Sequence, residues 1–127
     1  MNHDKLESVL GLSCEERYDY FLSEVGQLRE IWILVNSDNQ FLKIYAEEEG
    51  FEYLPVWPHS DFALNYCKNS SDLLPKNISM PEFFKKWIAG LNRDGLEIGV
   101  IPSFDASVWI MTPSELKKDL QDEMSNI

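Results

Sequence analysis

Two histidines, two cysteines and a run of three glutamates are the residues whose types could do chemistry, and their spacing limits what they can do together. A cysteine nucleophile needs a histidine base within hydrogen-bond reach. His3 lies in a weakly patterned terminus, which leaves His59 as the candidate base. Cys67 is eight residues beyond His59, or ~12 Å of rise if one helix carries both, too far for a direct bond. A contact between Cys14 and His59 through the fold stays open. Otherwise both thiols read as structural, because no Cys-x-x-Cys spacing encodes a zinc or redox site. Glu47, Glu48 and Glu49 read as solvated loop charge, since a calcium loop needs a fixed ligand pattern around a central glycine. Asp94 and Asp105 fall in turns, where aspartate serves the backbone. Glycine-rich phosphate loops, His-Glu-x-x-His and Gly-x-Ser-x-Gly do not occur. No catalytic residue, metal or cofactor is assigned on this basis, and the chain leans away from an enzyme.

One stretch concentrates recognition features: Trp57, Pro58 and His59 follow Pro55 within "EYLPVWPHSDFA". Trp87 falls on a helical apolar stripe and reads as core, while Trp32 and Trp109 fall in strand patterns. Trp57 sits in a corner, where its ring either plugs the end of a sheet or lines a small groove. A binding pocket drawn from sequence gathers Trp57, His59 and Trp109 with Arg93 or Asp94, and His59 there would be either a helix cap or a residue facing ligand.

The formal charge of −11, from 22 acids against 11 bases, excludes nucleic acid as the expected partner, because phosphate binding needs clustered Lys and Arg. Lys85-Lys86 and Lys117-Lys118 are the basic doublets, and each reads as a solvated helix face. Such an acidic surface suits a basic protein or peptide partner, mimicry of nucleic acid toward its binders, or solubility alone, and charge does not separate these. No signal-peptide pattern and no run of ~20 apolar residues is present, so the expectation is a cytoplasmic chain without a membrane span.

The elements that must position these residues are marked by their caps. Ser13-Cys14-Glu15-Glu16, Ser79-Met80-Pro81-Glu82 and Thr112-Pro113-Ser114-Glu115 are three capping boxes, each ahead of apolar residues at helical spacing. A shorter helix fits Ser60 to about Lys68. Ile31–Val35 and Gln40–Tyr45 flank the turn Asn36–Asn39 and read as a hairpin; Leu96–Ile101 and Val108–Met111 read as another across a turn at 102–107. Phe51–Trp57 reads as an extended segment confined to an edge by Pro55, and Lys76–Ile78 as a brief extended piece. The expected fold is α+β: a mostly antiparallel sheet of two hairpins plus an edge segment, with about four helices in a single layer on one face. Residues 1–127 are expected to form one domain, with a short helix or frayed arm at 1–12 and fraying from 121.

The early helix with "EIWILVN", then "LPVWPHSDFA", "ISMPEFFKKWIAGLNRDGLEIGVIPS" and "TPSELKKDL", resembles the bacterial domain of unknown function 2750 from about Arg17 to Leu120. Phe84, Trp87, Gly90, Leu91, Asp94 and Gly95 carry the most specific part. The resemblance implies a stand-alone bacterial cytosolic domain and brings no activity, cofactor or catalytic residue; the Glu47–Glu49 run stands outside it. The functional expectation is a non-enzymatic protein- or peptide-interaction or regulatory module, with a small-ligand binder or enzyme around Trp57 and His59 as the alternative. Oligomeric state is left open, a symmetric dimer by edge pairing being permitted.

Overall fold

The computed structural model describes residues 2–102 and 108–125. The turn expected at 102–107, Asp105 included, falls almost wholly outside them. Each helix start follows from its cap. Asn2 caps α1 (His3–Leu10), which buries Leu6 and Val9, so the N-terminal residues form a docked helix. At α2 (Cys14–Leu28) the capping box is complete: the Ser13 hydroxyl accepts from the Glu16 amide and the Glu16 carboxylate accepts from the Ser13 amide, both at 3.1 Å. The buried Arg17 guanidinium donates to the carbonyls of Leu10 and Leu12, at 3.4 and 2.9 Å, and so ties the α1–α2 connection. Thr112 and Glu115 form the same reciprocal cap on α6 (Pro113–Ser125). That helix continues past residue 121, the start of the expected fraying, because Met124 still packs against the core.

The α+β architecture is the one the chain adopts, with the strands in two sheets. β1 (Glu30–Val35) pairs antiparallel with β4 (Leu74–Ser79) over six residue pairs, and β2 (Ile44–Ala46), β3 (Phe51–Val56), β5 (Glu97–Val100) and β6 (Trp109–Met111) lie in the order β2-β3-β5-β6. The β5–β6 hairpin is present as expected. The first expected hairpin is divided instead. Its turn forms, with the Asn36 carboxamide oxygen accepting from the Asp38 and Gln40 amides, and Phe41 bridges Val35. Beyond Leu42, whose amide reaches the Leu34 carbonyl, the chain leaves β1 and pairs with β3. The cause is competition for one edge. Residues Leu34 and Trp32 point their backbone groups to the same side of β1, and at Trp32 that side is taken by Trp57, which exchanges both bonds with it at 2.9 and 3.0 Å.

Phe51–Val56 is central rather than the edge expected from Pro55. β5 runs parallel to it on one side, and β2 covers only Phe51 to Tyr53 on the other. Val56 turns its carbonyl to Ile101 of the β5 side, so the backbone of Trp57, and by alternation the nitrogen of Pro55, faces the opposite way. Pro55 thus lacks its amide in the gap between the end of β2 and the Trp32 contact, where no ladder bond is lost.

Alternation sorts the larger sheet into two faces. Leu54, Val56, Ile98, Val100 and Met111 share the inner face, all buried, toward α2 and α6. Ile44, Phe51, Tyr53, Gly99 and Ile110 share the outer face. α3 (Ser60–Tyr66) packs on β1 and β4. One buried cluster runs from Leu6 on α1 to Leu120 on α6.

The helix expected after Ser79 is interrupted. A turn of α-helix, α4 (Met80–Glu82), passes into a π-helical turn at Phe83–Trp87 and then into α5 (Ile88–Asp94). The Ile88 amide reaches back five residues to the Phe83 carbonyl. Five-residue closure places Ile88, not Trp87, beneath Phe83, so Phe83, Ile88 and Leu91 are buried while Trp87 is partly buried against the core.

Candidate functional site

The residues singled out by sequence are placed in four separate surroundings. Trp57 is only 1% exposed; it closes the sheet junction through Trp32 and packs on Tyr66 at 5.3 Å. His59 occupies the N-cap position of α3 without a side-chain capping bond. Its Nε2 instead lies 3.4 Å from Glu24 Oε1 on α2, both side chains 26% exposed, and its ring lies over Phe62. The ring thus makes no capping bond and instead links the start of α3 to α2. Cys14 is ten residues from Glu24 along α2, ~15 Å of rise, which takes it out of reach of His59. Trp109 stacks on Tyr18 at 4.8 Å on the inner face.

Arg93 and Asp94 do come together, at the end of α5, with Arg93 Nε 3.3 Å from Asp94 Oδ1. They stand at the rim of a hollow of about 200 Å³ that neither Trp57 nor His59 enters. Its walls are Trp87 and Phe41, held edge-to-face on Trp87 at 5.3 Å; its floor is Gly90 and Leu91, and Lys86 also lines it. Phe41 carries no mark of this role in the sequence, because its chain neighbours belong to a strand that abandons its expected partner. Gly90 is the available signal: a glycine inside a helical pattern calls for a reason.

A wider trough of about 810 Å³ opens on the outer face of the larger sheet. Ile44, Phe51, Tyr53, Val108 and Ile110 line it, and Glu47, Glu48 and Glu49 stand along one wall. The Tyr53 ring lies flat across Gly99, where any Cβ would collide with it, so the glycine is what lets the ring form the floor. Tyr45, 57% exposed, is on β2, the terminal strand of this sheet. Alternation within the short strands and the glycine at 99 are legible in the sequence; the convergence of these three segments is not.

Titration behaviour is set mainly by burial. Burial pushes the hydroxyls of Tyr18, Tyr20, Tyr53 and Tyr66 up, Tyr18 further by its bond to Asp119 and Tyr20 further by Glu24. The Cys67 thiol is also pushed up by burial, which keeps it protonated and unreactive. Among the described residues no group of three or more His, Cys, Asp or Glu is placed to hold a metal ion, and no helix is long and apolar enough to cross a membrane.

The family described as Protein of unknown function (DUF2750) matches residues 18–120, most of the 127-residue chain. The chain belongs to this family. The match runs from Tyr18 of α2 to Leu120 of α6 and takes in the divided hairpin, the π turn, the smaller hollow and all of the trough's lining but Cys14. No curated protein matches the chain in sequence.

Proposed function

We propose that this protein is a non-enzymatic interaction module whose outer sheet face takes a basic, extended segment of a partner protein. The observation that carries the reading is the trough itself: an apolar floor of Ile44, Phe51, Tyr53 and Ile110 walled by three consecutive glutamates. An extended chain presents side chains to alternate sides, so one set of aliphatic side chains fits the floor while Lys or Arg meets the wall. At low ionic strength the chain's charge of −11 favours the approach of such a partner, which makes the encounter salt-dependent.

A synthetic peptide alternating Lys and Val tests this by proton–nitrogen NMR titration of the whole protein. Expected are saturable shifts at Phe51, Tyr53 and Ile110, weakened by salt and by the triple change Glu47→Gln, Glu48→Gln, Glu49→Gln. Equal binding of the same peptide with Glu in place of Lys, or no shift with either, removes the proposal.

A further inference from the structure

The hollow beside the π turn shares no lining residue with the trough. We propose that it is a binding site for a small organic acid with a flat apolar body, an arylcarboxylate, whose ring lies against Trp87 and Phe41 and whose carboxylate meets Lys86 and Arg93.

Gly90 is the first observation. Glycine inside a helix costs about 1 kcal/mol relative to alanine, so its presence calls for a cause. The backbone supplies none, since Gly90 is not among the positive-φ glycines, Gly50 and Gly95. Packing supplies none either: a Cβ at Gly90 would meet only Arg93 Nη2, at an ordinary 3.8 Å. What the missing side chain leaves clear is the floor of the hollow.

The π turn is the second, independent observation. The five-residue closure sets Ile88 rather than Trp87 in line with Phe83, and Trp87, partly buried against the core, lines the hollow. Phe41 meets it edge-to-face, so two partly buried rings bound one slot.

Size and charge fix the ligand class. A cavity of about 150 Å³ holds benzene, so about 200 Å³ takes one ring with a short acidic arm. Lys86 and Arg93 against Asp94 leave the rim one positive charge in excess, and Asp94 steadies the Arg93 side chain, itself 78% exposed, beside the opening. The acidic remainder of the molecule is screened beyond ~8 Å at physiological ionic strength, so the local pair of cations governs the slot. A bare phosphate would leave the aromatic walls unused, and a neutral hydrocarbon would leave the cations unused.

Phenylacetate is the probe, with phenylacetamide as its uncharged counterpart, titrated into the full chain by proton–nitrogen NMR. Phenylacetate is expected to move the Gly90 amide and Trp87 indole signals saturably while Phe51 and Ile110 in the trough stay still. Lys86→Gln and Arg93→Gln, both at exposed positions, are each expected to weaken binding about tenfold. Gly90→Ala is the sharpest arm, because it should raise Tm by about 3–5 °C and weaken phenylacetate together. Phenylacetamide binding with the same midpoint, unchanged affinity in Arg93→Gln, or a raised Tm in Gly90→Ala with binding intact each overturns the site.

Discussion

Tyr18 shows how one side chain joins distant parts of the chain. Its ring stacks on Trp109 of β6, and its hydroxyl donates to the Asp119 carboxylate on α6. Replacing it with phenylalanine keeps the stacking and removes a hydrogen bond to a charged acceptor, a loss of about 1–2 kcal/mol. Tyr18→Phe is therefore expected to lower Tm by about 4–10 °C in thermal unfolding followed by circular dichroism. Asp119→Asn, which retains an acceptor, should lose less. An unchanged Tm in Tyr18→Phe would show that the bond contributes nothing beyond hydration of Asp119. His59 behaves differently at the same scale: its pairing with Glu24 is part-exposed, which places its contribution at about 0.2–1 kcal/mol.

Caps and turn types decide what each element does. Ser13 with Glu16, and Thr112 with Glu115, close their helix starts reciprocally, and these bonds hold both carboxyls below the usual 4.5 of a glutamate. A depressed carboxyl stabilises the fold above its ordinary value and loses that contribution as the pH falls through its folded value. Glu16→Gln, which keeps an acceptor but cannot titrate, should therefore differ from the native chain at neutral pH and converge with it in acid below 4.5. Parallel stability–pH curves for the two chains would dismiss the Glu16 carboxylate as a contributor. The π turn acts at the same scale: one widened turn sets Ile88 in line with Phe83, and Trp87, packed partly on the core, also lines a hollow.

Across the whole molecule, Tyr18, Tyr20, Tyr53 and Tyr66 share one direction of shift, upward, with burial as the main cause. The fold favours their neutral form, so their contribution is complete below the ordinary tyrosine value of 10.0 and is lost as the pH rises through the raised values. The expected result is cooperative alkaline unfolding above pH 10.0, with tyrosinate absorbance rising together with the loss of helical circular dichroism. Phenolates forming in an intact fold would contradict burial as the cause. Self-repulsion from the charge of −11 works in the same direction at high pH and is relieved by salt.

Several features are legible in the sequence because the chemistry behind them is local. The capping boxes set the starts of α2 and α6 because the bonds they form span three residues and need no other part of the chain. The β5–β6 hairpin, the α3 helix and the α+β class follow from patterns of similarly short range. Pairing between strands far apart in sequence does not follow. β1 could have taken Gln40–Tyr45 or Leu74–Ser79 along its length, and only the assembled fold gives β4 one edge while dividing the other between Phe41, Leu42 and Trp57. The candidate site depends on the same kind of choice. Arg93 and Asp94 are visible as polar residues at a helix end, but the contact of Phe41 with Trp87 joins segments far apart in sequence, at a widened turn that no local pattern marks. Residue types and caps are properties of neighbours in sequence; edges, faces and hollows result from competition among segments for the same space, which only the tertiary structure decides.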